Sequence, residues 1–392
     1  MKRAQKFRAP RLAAYLAGGP SPVGSMPMAL VLSLEFDCED MSTVRIRAAA
    51  KALPQHYRDT ADILPFLETW LAGQPERLRE KALRIFRYAG VDRRYGILSP
   101  EEVFTATSFE EKNQLYAERM TDLGERALQT ALEKASLAPE ELDGIISVSC
   151  TGIMIPSVDA YLINRLGLKQ DILRLPVTEM GCAAGVSGLI YARSFLRDPS
   201  LRNIAVLALE SPTSTFQHDD YSMTNIVSAA IFGDGAACAI LSSDPDSPGP
   251  ALLHQAMYHF YDAPHMMGFR LRNSGLQMVL DPAVPEVIDQ HFDRLTGEFL
   301  AEKGLQLSDI DHFLFHPGGK KIIQAVRDRL APLGKDIPVT QEVMRKYGNM
   351  SSATVLYVLE EYLDKPLAAE GERGFMLSFG PGFTAQRLLL GF

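Results

Sequence analysis

Alternation of strand-like and helix-like segments along the whole chain predicts a layered α/β protein. Apolar runs of strand length, such as NIAVLALE and HFLFH, are bounded by turn residues, and the stretches between them carry apolar residues at three- and four-residue steps. The pattern stops at DPDSPGPA (244–251), a Pro- and Ser-rich break, and then starts again, so the chain divides into two α/β halves, 43–250 and 251–392. Residues 1–42 form an N-terminal extension ahead of the first strand-like segment, TVRIRAAAKALP.

In chain order, DILPFLETWLAG, ERLREKALRIFRYAG and EEKNQLYAERMTDLGERALQTALEKASL are helical by their periodicity and are expected to form one helical layer. ELDGIISVSC reads as a buried strand ending at Cys150, and the loop TGIMIPSVD leads into a helix beginning near Ala160. ILRLPVTEM is the next strand, GCAAG a tight small-residue turn and VSGLIYARSFLRD a helix, so Cys182 falls where a strand gives way to a helix N-terminus. NIAVLALE and AACAILSS add two apolar strands. In the second half VPEVIDQHFDRLTGEFLAEKG, KIIQAVRDRLA and ATVLYVLEEYLD are helical, and HFLFH, GFMLS and QRLLLGF are strands.

A chain of 392 residues with 46% hydrophobic and 22% charged residues can bury a large core, which excludes disordered and collagen-like classes. The net charge of -8 argues against a nucleic-acid partner held by the overall field, while leaving a local basic patch free to hold phosphate. Cys38, Cys150, Cys182 and Cys238 are too scattered for a disulfide framework and lack the paired spacing of a zinc site, so no metal is expected and a reducing cytoplasm fits. No apolar run approaches the roughly 18 residues that a membrane-crossing helix needs. The N-terminal MKRAQKFRAPRLAAYLAGGPSP is basic and apolar, but it runs on through MPMALVLSLEF without a convincing cleavage site for a signal peptide.

Four places carry candidate chemistry. A thiol at a helix N-terminus faces unpaired amides and a partial positive charge, which favour the thiolate, and Gly181, Ala183, Ala184 and Gly185 leave room for a substrate beside Cys182. Taken alone, the pattern equally fits an inert buried cysteine. His316 follows an apolar strand and precedes Pro-Gly-Gly, and Asn349 follows a glycine and precedes two serines; singly, these read as a structural histidine and a turn or cap asparagine. Together the three supply a thiolate nucleophile, a base or cation to support it, and two hydrogen-bond donors for a developing enolate oxygen. Arg77, Lys81 and Arg84 share one face of a helix, which suits either a solvated surface or docking of phosphates.

GCAAG, FGDGAA (232–237), HPGGKKI, YGNMSSA and SFGPGF (378–383) occur in that order, and with them the chain resembles the type III polyketide synthases, the chalcone-synthase-like family in its bacterial form, from about Thr43 to the C-terminus. The resemblance implies a thiolase-like fold of two similar halves in αβαβα layers, a homodimer, acyl-CoA and malonyl-CoA as substrates, and no metal or redox cofactor. It implies that Cys182 takes the starter acyl group while His316 and Asn349 hold the enolate left by decarboxylation of the malonyl extender. Phe232 matches the family's gatekeeper aromatic, whereas the second aromatic of that gate is replaced by Met278. Cys150, Thr151, Thr215, Ser228, Ser351 and Pro381 match positions that shape the pocket, and Ile155 the residue that reaches into the partner subunit's cavity. Arg77, Lys81 and Lys320 match coenzyme-binding positions.

Small side chains at Cys150 and Ser228 and a flexible thioether at Met278 leave volume for a long acyl chain, which favours a fatty acyl starter and an alkylpyrone or alkylresorcinol product. The CTG tripeptide at 150–152 is also compatible with a synthase that uses malonyl units alone to make tetrahydroxynaphthalene. A ketoacyl-ACP synthase III-like condensing enzyme would use the same three residues, but its histidine motif continues with Gln-Ala-Asn where this chain has Pro-Gly-Gly. A thiolase-fold binding protein without catalysis would have no need of all three.

Overall fold

The structure is a computed structural model that describes residues 43–392. The N-terminal extension, and with it Cys38, lies outside the described residues.

The first half runs β1 (Arg45–Ala52), β2 (His56–Asp59), α1 (Thr60–Trp70), α2 (Glu76–Tyr88), β3 (Arg93–Gly96), α3 (Pro100–Phe104), α4 (Phe109–Ala135), β4 (Gly144–Val148), α5 (Val158–Leu166), β5 (Leu173–Val177), α6 (Ala184–Phe195), β6 (Asn203–Glu210), α7 (Met223–Ile231) and β7 (Gly235–Ser242). The second runs β8 (Ala251–His259), β9 (Met267–Arg272), β10 (Gly275–Leu280), α8 (Val284–Ala301), β11 (His312–Phe315), α9 (Lys320–Leu330), α10 (Pro338–Tyr347), α11 (Ala353–Asp364), β12 (Arg373–Gly380) and β13 (Thr384–Gly391). Helices α3 and α4 each start at a Ser-x-x-Glu capping box, Ser99 with Glu102 and Ser108 with Glu111, which satisfies amides that the first turn leaves free.

Nine strands form one sheet in the order β11-β12-β13-β8-β1-β7-β6-β4-β5. The halves meet where β8 touches β1 at the Arg45–Ala251 pair. The central strands are buried on both faces, so they read as unbroken apolar runs, and their period of two appears only in which neighbour each side chain meets. In β6, Ile204, Val206 and Ala208 face an inner core, while Ala205, Leu207 and Leu209 face an outer one. Cys238 of β7 lies in the outer core.

The inner faces of both sheet halves close on α6 and α11, whose Val186, Leu189, Val355 and Leu359 share a cluster with Val206 from one half and Met376 and Leu388 from the other. Helices α4 and α5 cover the outer face of the first half, and α8 and α9 that of the second. The result is the αβαβα order that the resemblance implies. No helix among the described residues is long and apolar enough to cross a membrane.

One expectation fails. The three N-terminal helices do not form a single layer: α4 lies on the sheet, whereas α1 and α2 pack with α7 in a separate cluster around Trp70, Phe216 and Phe232. The reason is the width of the apolar face. Helix α4 buries a stripe along its whole length, but α2 buries only Ala82 and Phe86 and is too polar elsewhere to cover a sheet.

Candidate active site

Close backbone approach builds the site. Between β5 and α6 the chain makes a tight turn in which Gly181 takes φ +50°, and a Cβ there would come within 2.5 Å of Pro381 Cδ. A Cβ on Gly185 would lie 2.3 Å from the Ser352 carbonyl oxygen. The glycines of GCAAG are therefore what lets α6 pack against both the 378–383 segment and the start of α11.

That packing puts Cys182 Sγ 3.5 Å from Ser351 Oγ, and Cys150 Sγ is also 3.5 Å from the same hydroxyl. Ser351 holds φ +48°, a left-handed backbone that a non-glycine residue adopts only under tertiary constraint. Its N–H donates to Asn349 Oδ1 at 2.8 Å, and the Thr354 hydroxyl donates to the same oxygen at 3.4 Å. The amide of Asn349 is thereby oriented, with its Nδ2 left as the free donor. The acceptor that Nδ2 meets, the Gly318 carbonyl, is 3.5 Å away in the Pro-Gly-Gly turn after His316. Asn349 also joins Phe232 through the backbone: its N–H donates to Ile231 O at 2.8 Å, and Gly233 N–H donates to Asn349 O at 3.0 Å. His316 is anchored by its own N–H on the Leu377 carbonyl at 2.9 Å. Its imidazole is buried and neither ring nitrogen has a hydrogen-bond partner. A buried polar group is ordinarily satisfied, so an orphaned imidazole two residues before the carbonyl that Asn349 Nδ2 meets marks a place for a ligand's polar atom.

Glu210, which the sequence reading passed over, lies among these residues. It is buried and accepts from Cys150 N–H at 3.2 Å, from Thr151 Oγ1 at 2.7 Å and from the Ser352 hydroxyl. Its carboxylate oxygens lie 3.6 and 3.7 Å from Cys150 Sγ. The available signal was a charged residue ending the apolar run NIAVLALE, a position that costs too much unless it is fully hydrogen-bonded.

The electrostatics revise one expectation. Burial pushes the Cys182 thiol up to about 12, with Ser351's hydrogen bond opposing and the charge on Glu210 adding to the rise. Burial also pushes His316 down to about 3. The sequence reading took the helix N-terminus as lowering the thiol, but Cys182 sits in a 3-10 turn ahead of α6, and desolvation of the thiolate outweighs the helix end there. Burial thus favours the uncharged form of each group. Since the thiolate fraction below such a pKa grows with pH, alkylation of Cys182 by iodoacetamide is expected to accelerate about tenfold per pH unit from neutrality upward. Peptide mass spectrometry of the alkylated residue measures this. A rate already level from about pH 6 would instead require a thiolate–imidazolium pair.

The remaining predicted residues fall in three places. Met278, on β10, packs against the cluster that contains Phe232, and Ser228 lies one helical turn before Phe232 with its buried hydroxyl unpartnered. Thr215 is buried, but its hydroxyl is committed to the Pro212 carbonyl at 2.8 Å. Ile155 is 94% exposed beside exposed Ile153 and Tyr161. Arg77, Lys81 and Arg84 are exposed on one face of α2, and the stem of Lys320, at the start of α9, lies next to Gly90 just past the end of α2. None of these four cations has an ion-pair partner among the described residues.

The sequence matches the profile of the chalcone and stilbene synthase N-terminal domain over residues 39–245 and that of the C-terminal domain over 253–391. It is 33% identical over 350 residues to a 1,3,6,8-tetrahydroxynaphthalene synthase from Streptomyces peucetius subsp. caesius, covering 88% of this chain and 92% of that protein. It is 28% identical over 336 residues to phloroglucinol synthase from Pseudomonas fluorescens, covering 85% of this chain and 95% of that protein. The crystal structure of the 1,3,6,8-tetrahydroxynaphthalene synthase of Streptomyces coelicolor superposes with a TM-score of 0.83 at 28% identity, covering 89% of this chain and 99% of that one.

Proposed function

The chain belongs to the chalcone and stilbene synthase family as a bacterial-type type III polyketide synthase, an acyltransferase with a thiolase-like fold, and from that premise we propose that it condenses malonyl-CoA units on Cys182 into a hydroxylated aromatic product. The observation that supports the site assignment is the buried His316 imidazole with both nitrogens free, two residues before the Gly318 carbonyl that the Asn349 amide nitrogen meets at 3.5 Å. Coenzyme A thioesters supply the family's chemistry with no further cofactor.

In this reading His316 takes the Cys182 proton as the sulfur attacks the starter thioester, the carbon–sulfur bond to coenzyme A breaks, and the proton passes to the departing thiol. A malonyl extender then loses its carboxylate as carbon dioxide, and the electron pair of that bond becomes an enolate whose oxygen accepts from His316 and from Asn349 Nδ2. The enolate carbon attacks the acyl-Cys182 carbonyl, and the sulfur leaves and is reprotonated. Ser351, Pro381, Cys150 and Thr151 shape the space around the growing chain, and Phe232 with Met278 guards its mouth.

The names of the relatives, a tetrahydroxynaphthalene and a phloroglucinol synthase, support malonyl-derived aromatics, as does the CTG tripeptide at 150–152. A second reading, a long-chain fatty acyl starter giving an alkylpyrone or alkylresorcinol, has Met278 in its favour, because a flexible thioether yields to a chain more readily than a ring does. Product mass spectrometry separates them: an aromatic polyol from malonyl-CoA alone is expected, and an absolute need for a fatty acyl-CoA would replace this reading with the second. Strict dependence on acyl carrier protein, or no release of carbon dioxide, would overturn both.

The exposed cations are assigned to coenzyme A phosphates. Lys81→Ala with Lys320→Ala should therefore raise KM for malonyl-CoA several-fold, more at low salt than at high, with little change in kcat. Equal KM values in steady-state assays would remove them from the site. We also assign a homodimer, in which the exposed Ile155 is covered by the partner; light scattering should give twice the chain mass. A cytoplasmic setting follows from coenzyme A thioesters as substrates and from cysteines that work as free thiols.

A further inference from the structure

A cavity on the side of Phe232 facing α1, α2 and α3 holds a charged group that the proposed chemistry does not use. Its walls are contributed by Phe86, Leu98, Val103, Phe104, Phe216 and Phe232, and Arg94 of β3 also lines it. Arg94 is 7% exposed. One guanidinium nitrogen donates to the Ala229 carbonyl at 2.6 Å and another to Thr60 Oγ1 at 3.1 Å, while Nε has no partner. The Phe86 ring covers the guanidinium at 5.4 Å from its centroid. No carboxylate pairs with Arg94 among the described residues, in contrast to its neighbour Arg93, which pairs with Asp59 at 2.7 Å. Burial alone lowers Arg94 to about 10, so at neutral pH the group keeps its charge. A buried cation without a counter-ion is costly, and its unsatisfied Nε–H adds to that cost. None of the described residues supplies a counter-ion, and the cavity is where one can enter.

We propose that this cavity binds a small organic monocarboxylate, with its charge on Arg94 and its short apolar tail against Phe104, Phe216 and Phe232. The free space is about 70 Å³, or roughly five water-sized volumes, which suits a ligand of about four to six non-hydrogen atoms. Arg94 is the one buried cation of a lining that also includes the half-buried Arg58 and His56, and a buried cation among mostly apolar walls matches an anion with a hydrocarbon tail. Phosphate and sulfate have no apolar part to set against Phe104, Phe216 and Phe232. Because Phe232 is bonded through its backbone neighbours to Asn349, an occupied cavity stiffens the gate from behind. The binding itself does not depend on which polyketide is made.

The protein carries its own probe. Trp70 is the chain's one tryptophan, and its ring centroid lies 6.0 Å from that of Phe104 and 5.1 Å from that of Phe216. Titration of the full chain with sodium butyrate should give a saturable change in tryptophan emission, beyond that of sodium chloride at equal ionic strength, and butyramide should give none. Arg94→Gln should lose the response. Since Arg94 also ties β3 to α1 and α7, Val103→Phe provides the independent variant: it fills the space without touching the guanidinium, and should lose the response while retaining the wild-type melting temperature. A response to butyramide equal to that of butyrate, no saturable response to butyrate, or an undiminished response in well-folded Val103→Phe would each overturn the proposal.

Discussion

Replacing Cys182 by alanine is expected to lower product formation by on the order of 10⁴-fold or more, the range that removal of a covalent nucleophile gives, while malonyl-CoA decarboxylation stays measurable. In the proposed reaction the two outcomes separate because the sulfur carries the acyl group, whereas the enolate is held by His316 and Asn349, whose backbone and amide supports do not involve Cys182. Asn349 is oriented by Ser351 N–H and Thr354, and His316 by the Leu377 carbonyl. A second thiol stands close by, since Cys150 touches the same Ser351 hydroxyl, and it could be asked whether it rescues the variant. Its environment says no. Burial first, and then the charge of Glu210, raise the Cys150 thiol well above its ordinary value, so it too is held as a thiol. Mass spectrometry of the intact protein after incubation with a labelled starter should show no acyl adduct on Cys182→Ala. Normal product from that variant would reject the nucleophile assignment.

Much of this architecture was readable because the elements that build the site are continuous apolar runs or carry local stop signals. β6 and β7 carry unbroken apolar runs, Ile204–Leu209 and Ala236–Leu241, and α4 announces its start with Ser108 and Glu111. The five motifs were readable for a related reason: each combines glycines or small residues with one chemical group, as close approach to a reacting atom requires. What escaped depends on contacts distant in sequence. Helix α7, MTNIVSAAI, is apolar on most sides and shows no periodic face, and β8, ALLHQAMYH, mixes polar residues into a strand that pairs with β13 and β1. In RRYG the two adjacent arginines look alike, yet β3 sends Arg93 to solvent and Arg94 inward. A strand's period of two dictates that neighbouring residues differ, but which of them meets the core is decided by α1, α2 and α7 packing over one side.

The Cys182 pKa makes the same point about chemistry. A helix N-terminus is a local feature that a sequence displays, and its effect on a thiol has a known sign. Desolvation is set by everything that surrounds the sulfur, here α11 and the 378–383 segment, and it acts in the opposite direction. Burial outweighs the helix end. In the proposed reaction the nucleophile is therefore activated only when the substrate arrives, with His316 as the proposed proton acceptor.

Asn349→Asp tests the other half of the site with almost no change in shape. An aspartate Oδ accepts from Ser351 N–H and from the Thr354 hydroxyl as the amide oxygen does now, so the strained Ser351 backbone and the start of α11 stay in place. What is lost is Nδ2, whose contact with Gly318 O at 3.5 Å is too long to hold it back from a ligand. Loss of one aimed donor to a developing oxyanion costs about 10²–10³ in rate, and a carboxylate in its place adds repulsion of the enolate in a buried site, so the effect should reach the upper end of that range or pass it. The deficit belongs to decarboxylation itself: release of carbon dioxide from labelled malonyl-CoA should fall with kcat, while acylation of Cys182 by a non-malonyl starter proceeds near the wild-type rate. If decarboxylation survives in Asn349→Asp and loading fails instead, the amide serves the acyl carbonyl and His316 alone must hold the enolate.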